Sequence, residues 1–317
     1  MLRHWAPHFG VVMIPSAISK RLNQLGGFSL VLAVAFSLPL FRLGQFALHD
    51  DLFSYILIIP VVCGWLVWQD RQRLSWEFVP APGASLTLTI VGAGLSGLAL
   101  MMTSPEHATA RLSLSILGFV ALLNAGSFWF LGRAVMRQIA FPAAFLMFMA
   151  PLPPGLVHSI EIGLQHASAE ASAWLFSLTG AAYFRNGLVF QLPGITLEVA
   201  PECSGIRSTL VLFMTSLIAG HLFLERGWQR WVFTLLVIPL GIARNALRIV
   251  TIGWLCIEYG PEMIHSAIHR RGGPFFFALS LVPLFALLWL FRRLNNKRAA
   301  SDVTRVMPPP KPMEAGS

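Results

Sequence analysis

The fold of this protein follows from the segment RWVFTLLVIPLGIARNALRIVTIGWLCI, residues 230–257. After Arg230 its only charged side chains are Arg244 and Arg248. A helix needs about 20 predominantly apolar residues to cross the hydrocarbon core of a bilayer, so this run is long enough to span a membrane. Similar apolar runs follow one another from about residue 24 to residue 291. The sequence therefore predicts an all-α polytopic membrane protein.

The overall composition agrees with this class. Hydrophobic residues make up 56% of the chain and charged residues 12%, whereas a typical soluble domain is about 25% charged. The net charge of +9 does not indicate nucleic-acid binding, because the basic residues lie mainly between the apolar runs, where they orient a membrane protein. The expected partner is therefore the lipid bilayer, and no nucleic acid.

About eight membrane helices are predicted, and they cover residues 24–42, 52–69, 84–104, 112–131, 138–153, 205–224, 230–257 and 274–292. The first run is not expected to be a cleaved signal peptide, because many similar runs follow it. The spans form one transmembrane domain, residues 24–292, after a cytoplasmic N-terminal segment, residues 1–23. Residues 293–317 are polar and contain the run MPPPKP, so they are predicted to be a disordered cytoplasmic tail.

Two segments differ from the apolar runs. The segment 155–180 is helix-like but carries polar side chains that would be costly facing lipid. These side chains are His158, Glu161, Gln165, His166 and Glu170. The segment is predicted to lie outside the membrane or on its outer interface, with a buried span lining the site as the alternative. The segment 181–204, AAYFRNGLVFQLPGITLEVAPECS, has β-branched and aromatic residues punctuated by Gly and Pro, which favours short strands or a loop.

The distribution of lysine and arginine predicts the orientation. With the N-terminus inside, fifteen of the 23 Lys and Arg residues fall in inner segments and six in outer segments or at outer span edges. Because basic residues are enriched in cytoplasmic loops, both termini are predicted to be cytoplasmic. The protein is thus expected in the inner (cytoplasmic) membrane, with the segment 181–204 and the candidate residues that follow it on the periplasmic side.

The chain contains three cysteines, and two of them have ordinary surroundings. Cys63 and Cys256 lie in apolar runs, where cysteine usually acts as a small hydrophobic residue. The odd count and the lack of a CxxC motif indicate neither a disulfide framework nor a zinc site. Cys203 is the remaining candidate for chemistry.

Cys203 lies in PECSGIRS, just before the span predicted to begin near Gly205. A helix N-terminus stabilises negative charge and lowers the pKa of a cysteine toward the reactive thiolate. Arg207 adds a nearby positive charge, and Ser204 and Glu202 are further candidates for supporting roles. For Glu202, the ordinary alternative is a solvated carboxylate.

Two arginines interrupt the apolar run quoted first. Arg244 and Arg248 are four residues apart and therefore share one face of a helix. At 1.5 Å per residue, Arg248 lies about 27 Å from Arg230, which places it close to the outer surface. An arginine within a span usually faces the protein interior or a wet cavity. Snorkelling to headgroups, or pairing with a carboxylate, is the alternative for either residue.

Two histidines, His265 and His269, precede the last span in HSAIHRRGGPFFF. Histidine is the usual proton carrier near neutral pH, although an interfacial histidine is more often a passive polar residue. Together with Cys203 and Arg248 they place a Cys/His/Arg set on one membrane face. Acyl transfer by a thiolate needs a proton acceptor and a cationic or hydrogen-bonding group for the oxyanion, and this set supplies each.

These motifs resemble those of the exosortase and archaeosortase family. EVAPECSGIRS (198–208) is similar to the family's cysteine motif, NALRI (245–249) to its arginine motif, and HRRGGPFFF (269–277) to its histidine motif. HDDLFSYILIIP (49–60) and FLMFMAPLPP (145–154) are weaker matches. Pro274 departs from the pattern, because the family usually has an aromatic residue there.

The resemblance implies a membrane-embedded cysteine peptidase or transpeptidase with Cys203, Arg248 and His269 as catalytic residues. Arg244 and His265 are candidates for supporting roles. The expected substrates are exported proteins with a C-terminal sorting tail of the PEP-CTERM kind: a short motif, a transmembrane helix and a basic cluster. The tail would be cleaved through a thioester acyl-enzyme, and the protein released or transferred to a surface acceptor. No cofactor and no metal are expected.

Other classes of protein remain as alternatives. A membrane transporter or channel, or an export scaffold, would use Arg244 and Arg248 as anion ligands but would leave Cys203 without a role. An intramembrane metalloprotease would use His265 and His269, which are spaced as on one helix face, with Glu262 nearby. The sequence lacks an HExxH motif, which makes this reading weaker.

Overall fold

The computed structural model describes residues 16–199, 204–260, 262–263 and 273–306. The chain divides into two compact units, Met1–Val157 and His158–Ser317. The described helices of the first unit are α1 (Ser16–Ala35), α2 (Ser37–His49), α3 (Ile59–Asp70), α4 (Pro82–Met101), α5 (Ala108–Gln138) and α6 (Ala140–Phe145). Short 3-10 turns occur at Ser54–Leu57, Pro105–His107 and Leu146–Met149.

The second unit combines five helices with a small sheet in its described part. Its elements are α7 (Pro154–Thr179, which begins just before the boundary), β1 (Phe184–Asn186), β2 (Val189–Leu192), β3 (Ile195–Glu198), α8 (Ile206–Phe223), α9 (Gly227–Leu235), α10 (Val237–Tyr259) and α11 (Gly273–Val306). The last helix extends beyond residue 293, where a disordered tail was expected. The residues between Leu294 and Ala300 include several strong helix formers, which favours this extension.

Among the described residues, five helical segments are long and apolar enough to cross a membrane. They are Pro82–Met101, Pro105–Gln138, Ile206–Phe223, Gly227–Tyr259 and Phe275–Asn295. Two bent pairs bring the number to seven if each pair is one span: Ile18–Ala35 with Ser37–His49 (72°) and Ala140–Met149 with Pro154–Thr179 (95°). The apolar helix Ser54–Asp70, where a span was also predicted, is shorter. The all-α polytopic class is thus confirmed, with five to seven candidate spans where about eight were predicted.

Prolines account for the bends. Pro39 has no N–H to donate to the carbonyl of Ala35, and α1 ends at that residue. Pro239 stands in the same relation to Leu235, where α9 ends and α10 soon begins. The 95° bend before α7 lies in the run PLPP, residues 151–154. The pattern of apolar residues alone predicts uninterrupted spans at these places, because the loss of one backbone hydrogen bond does not change the hydropathy of the sequence.

The first unit is built around the close approach of α4 and α5. A Cβ atom added at Gly118 on α5 would lie 3.0 Å from the carbonyl oxygen of Gly92 on α4 and would also clash with Ser96. Small residues at such positions let two helix backbones approach closely, which is a common basis of helix association in membranes. Ser85 on α4 adds a polar link, because its hydroxyl donates to the carbonyl of Ala125 on α5 at 2.9 Å.

The segment predicted as strands or a loop forms a three-stranded antiparallel sheet of order β1-β2-β3. The first turn has Gly187 at φ 61° directly after Asn186, and the second has Pro193 followed by Gly194 at φ 81°. Glycine at these positions allows the left-handed backbone that two-residue hairpin turns require. The prediction of short strands is therefore confirmed, and the Gly and Pro residues mark the turns.

The sheet packs on α7 and α10 in one hydrophobic cluster. Phe190 of β2 is fully buried there with Phe176 of α7 and Ile249 and Cys256 of α10. A Cβ atom at Gly253 of α10 would lie 2.9 Å from the ring of Phe176, so the helix approaches the aromatic side chain closely. The position of Cys256 in this core agrees with its expected role as a small hydrophobic residue. The cluster fixes the sheet and Val199, the last described residue before the cysteine segment (residues 200–203), against two helices.

Candidate active site

The residues proposed from the sequence fall partly outside the described structure. Cys203 and Glu202 belong to the cysteine segment, residues 200–203, and His265 and His269 lie between residues 264 and 272; all four are outside the described residues. The structure describes the two flanks of the cysteine segment, Val199 before it and Ser204 after it. Both flanking residues are about 2% exposed. The described part of the site therefore consists of these flanks and the helices that contact them.

The downstream flank is the N-terminus of α8. The helix begins at Ile206, so Cys203 precedes the first helical residue by three positions, as predicted. Gly205 is the N-cap residue with φ 71°, in the left-handed region that glycine adopts without strain. Its carbonyl oxygen accepts hydrogen bonds from the hydroxyls of Ser208 (3.1 Å) and Thr209 (2.9 Å). These contacts fix the peptide between Gly205 and Ile206.

Arg244 of α10 reaches the same carbonyl. Its Nη2 donates to the Gly205 oxygen over a long 3.4 Å, and its Nη1 is buried with no hydrogen-bond partner among the described residues. The side chain is only 5% exposed. A buried guanidinium with an unused donor is costly, so this position favours an acceptor or an anion close to the start of α8. Arg244 is thus buried within the second unit.

Arg248 lies one helical turn beyond Arg244 and is half-buried. Since the two residues are four apart on an uninterrupted helix, both guanidinium groups project from the same side of α10. Arg207, in the first turn of α8, is exposed. Of the three arginines proposed from the sequence, Arg244 is thus placed in hydrogen-bond contact with a flank of the cysteine segment.

The upstream flank is held by α7. Gln165 donates from Nε2 to the carbonyl oxygen of Val199 at 3.1 Å, and the N–H of Val199 donates to Leu188 at 3.0 Å. Gln165 is 6% exposed and Val199 lies in the core with the sheet. Both backbone polar groups of Val199 are therefore satisfied, as buried backbone groups must be.

A third polar contact joins the two helices that hold the flanks. Asn245 of α10 donates from Nδ2 to the hydroxyl oxygen of Ser168 on α7 at 3.0 Å. Both side chains are almost completely buried, at 3% and 0% exposure. Because Asn245 follows Arg244 and Ser168 lies one turn from Gln165, the same turns of α7 and α10 that contact the flanks also contact each other. We call these four side chains the clamp: Gln165, Ser168, Arg244 and Asn245.

Sequence reasoning missed the structural role of three clamp residues. Gln165 was counted only among the polar residues that keep the segment 155–180 away from lipid, Asn245 appeared only as the first residue of NALRI, and Ser168 was not singled out. The spacing of polar residues in the sequence could have indicated this role. Gln165, Ser168 and Ser172 recur at helical spacing, and all three lie on the buried side of α7. Because that face of α7 is buried within the second unit, its polar side chains do not face lipid. The other polar side chains His158, His166 and Glu170 are exposed.

The ion pair between Glu170 and Arg185 ties the sheet to the exposed side of α7. Arg185 of β1 donates from Nη2 to Glu170 Oε1 at 2.8 Å and from Nε to the carbonyl of Gly187 at the same distance. Both contacts lie near the turn from β1 to β2.

In the described part of the chain, no three His, Cys, Asp or Glu side chains come together as ligands for a metal ion.

Residues 42–286 match the family model of transmembrane exosortases (Exosortase_EpsH). This chain belongs to the transmembrane exosortase family. No curated protein and no solved structure matches it. The match runs from α2 into α11, so it includes the cysteine, arginine and histidine segments together with the whole clamp. The protein is therefore a multi-pass membrane exosortase, and the family implies a protease- or transpeptidase-like enzyme that acts on exported proteins.

Proposed function

We propose that this exosortase is a cysteine transpeptidase that cleaves the C-terminal sorting tail of exported proteins, with Cys203 as the nucleophile. The observation that supports it most is the clamp. Two helices donate hydrogen bonds close to the cysteine segment, α7 to Val199 directly before it and α10 to Gly205, two residues after it. A nucleophile must be held within a fraction of an ångström of its attack geometry, and such buried contacts are how a protein achieves this.

The surroundings also suit a thiolate. Helix α8 begins three residues after Cys203, and the positive end of its dipole favours negative charge close to that end. Arg244 brings a buried guanidinium to the carbonyl of Gly205. Both features stabilise the thiolate over the thiol, which is the form that attacks a carbonyl.

The proposed reaction has two acyl-transfer steps. The Cys203 thiolate attacks the scissile carbonyl carbon and forms a tetrahedral oxyanion, which collapses to a thioester. The C–N bond breaks, and the departing amine of the tail takes a proton. Water or an acceptor nucleophile then loses a proton, attacks the thioester carbon and releases the protein, which restores the thiolate.

Arg248 and His269 are assigned the proton transfers and the stabilisation of charge in these steps. Arg248 stabilises the oxyanion or the thiolate, or supplies the proton to the departing amine. His269 takes and returns the proton, or stabilises the transition state. The substrate tail has its own transmembrane helix, and binding of that helix against the protein would position the peptide for attack. The distribution of basic residues along the sequence supports a reaction on the periplasmic side.

The test is processing of a co-expressed, tail-bearing exported protein. We expect wild type to shorten the substrate, while Cys203→Ala, Arg248→Ala and His269→Ala leave it full length at equal membrane abundance. Cys63→Ala and Cys256→Ala are the matched controls, because both cysteines are buried in the structure and should tolerate replacement without loss of processing.

Trapping the intermediate tests the chemistry directly. With wild type we expect a covalent adduct between enzyme and substrate that hydroxylamine releases, since hydroxylamine cleaves thioesters, and no adduct with Cys203→Ala. Normal processing by Cys203→Ala would disprove the nucleophile assignment. A transporter or an export scaffold would then become the better interpretation of the two arginines on α10.

A further inference from the structure

A large groove lies in the first unit, and none of the residues that line it belongs to the clamp. It has a volume of about 980 Å³ and lies between α2, α4 and the start of α5. Its walls are mostly apolar and include Phe36 and Leu38 near the start of α2, Leu100 of α4 and Leu112 of α5. The 72° bend between α1 and α2 turns α2 away from the axis of α1, along one side of the groove. The volume is at the upper end of the range of small-molecule sites, about 300–1,000 Å³.

Two arginines line this groove from different helices. Arg42 on α2 is exposed, and Arg111 at the start of α5 is half-buried. Among the described residues, no carboxylate lies within 4.0 Å of either guanidinium. Arg111 makes one long hydrogen bond, from Nη1 to the carbonyl of Met102 at 3.4 Å, which leaves most of its donors for another group.

The rest of the polar lining carries no acid. Gln45 and His49 follow Arg42 along the groove side of α2, and the ring Nδ1 of His49 pairs with the backbone carbonyl of Gln45 at 2.7 Å. Ser96 of α4 and Ser115 of α5 line the groove as well, and each hydroxyl donates within its own helix. The groove therefore combines a cationic polar part with extended apolar walls.

We propose that this groove binds an anionic phospholipid, with the phosphate between Arg42 and Arg111 and the acyl chains along the apolar walls. Guanidinium groups bind phosphate through short, charge-assisted and often bidentate hydrogen bonds. The apolar walls suit hydrocarbon chains, which a free anion lacks. A basic partner would be repelled by the two arginines. Since both arginines fall on the predicted outer side, the lipid comes from the outer leaflet of the cytoplasmic membrane.

The site is independent of the cysteine chemistry, so it is tested by binding. The full-length protein is purified in detergent and titrated with phosphatidylglycerol, and bound lipid is counted by native mass spectrometry, with phosphatidylcholine as the zwitterionic comparison. We expect phosphatidylglycerol to bind more tightly, and Arg42→Gln with Arg111→Gln to weaken it roughly tenfold or more, from the loss of two charge-assisted contacts.

The matched control removes the same charge elsewhere in the unit. Arg73 and Arg137 are exposed and do not line the groove, so Arg73→Gln with Arg137→Gln should retain wild-type affinity. An equal loss of affinity in this control would overturn the proposal, because it would indicate general attraction between a basic protein and an anionic lipid. Equal binding of phosphatidylcholine would overturn it too.

A second variant separates the lipid from a free anion without removing an arginine. Ser115 lines the groove one turn after Arg111 on α5, on the side away from the outer surface, and is half-buried, so Ser115→Trp would fill part of the space for acyl chains. We expect this variant to lose phosphatidylglycerol while its melting temperature stays close to wild type. If Ser115→Trp binds phosphatidylglycerol normally, or if inorganic phosphate at millimolar concentration displaces the lipid from wild type, the groove is not a phospholipid site.

Discussion

Replacing Gln165 by methionine tests whether the clamp positions the cysteine segment. Methionine has nearly the length and volume of glutamine, but it lacks the N–H that donates to the carbonyl of Val199 at 3.1 Å. Val199 is 2% exposed, so water does not readily replace the lost donor. The Gln165→Met variant therefore keeps the packing of α7 and leaves one buried carbonyl oxygen without this donor.

The expected loss of processing activity follows from the cost of leaving the Val199 carbonyl oxygen without its donor. A buried polar group left without its partner costs about 1–3 kcal/mol. Val199 is the last described residue before the cysteine segment, so we expect this cost to fall mainly on the placement of that segment. At about 1.4 kcal/mol for each factor of ten, processing of a tail-bearing substrate should slow by roughly fivefold to a hundredfold. The amount of protein in the membrane should change much less.

Gln229 offers a matched control. It is 2% exposed, its Nε2 donates to Asn295 of α11 at 3.0 Å, and its Oε1 accepts from Asn295 at 2.9 Å. Gln229→Met therefore removes amide contacts at least as extensive as those of Gln165, but on different helices. Time courses of substrate shortening are compared for Gln165→Met, Gln229→Met and wild type at equal membrane levels. In a background of Cys63→Ala and Cys256→Ala, the rate of Cys203 alkylation gives a second readout that does not depend on the substrate.

Two results would refute the reasoning. If Gln165→Met processes substrate and alkylates at wild-type rates, the contact to Val199 does not position the segment. If Gln229→Met slows processing as much as Gln165→Met, the effect is a general loss of stability. A specific slowing of processing in Gln165→Met, with a changed alkylation rate, is the expected outcome.

Three further predictions concern backbone and helix contacts. Gly205→Ala should slow processing more than Gly205→Asn, because the left-handed backbone at φ 71° costs an ordinary residue about 1–2 kcal/mol and asparagine less; equal rates for the two variants would contradict this. Asn245→Ala and Ser168→Ala should each lower the melting temperature, and the double variant should be less destabilised than the sum, since the two side chains share one hydrogen bond; full additivity in a double-mutant cycle would argue against that coupling. Gly118→Leu should lower the melting temperature far more than Gly94→Leu, because an added Cβ meets the α4 backbone at Gly118 and no atom within 4 Å at Gly94; similar melting temperatures would exclude close α4–α5 packing as a source of stability.

The predictions from apolar runs were good where the runs are uninterrupted. The helix Pro82–Met101 lies close to the predicted span 84–104, and Ile206–Phe223 close to 205–224. They were poorer around prolines, where the first predicted span became two helices bent by 72°. One missing backbone hydrogen bond redirects a helix without changing its hydropathy, so the number of spans is harder to derive than their existence.

For the candidate site, the sequence identified residue types with recognisable chemistry. Arg244 was a candidate because a charged side chain in an apolar run is costly. The structure places this side chain inside the protein, in contact with the carbonyl of Gly205. Gln165 and Asn245 carry no charge. Gln165 belongs to no catalytic motif, and Asn245 is only the first residue of the arginine motif NALRI, so nothing local indicates that their amides are buried contacts. Their role depends on which helices pack together.

The sequence alone was sufficient for the membrane class, the transmembrane exosortase family, and the strands that precede the cysteine motif. These properties depend on local composition and on motifs, which can be read along the chain. Only the folded chain brings Gln165 to Val199, Asn245 to Ser168 and Arg244 to Gly205, across separations of 34 to 77 residues. Such contacts depend on the packing of α7 against α10, and packing is a property of two surfaces together, which neither segment specifies by itself.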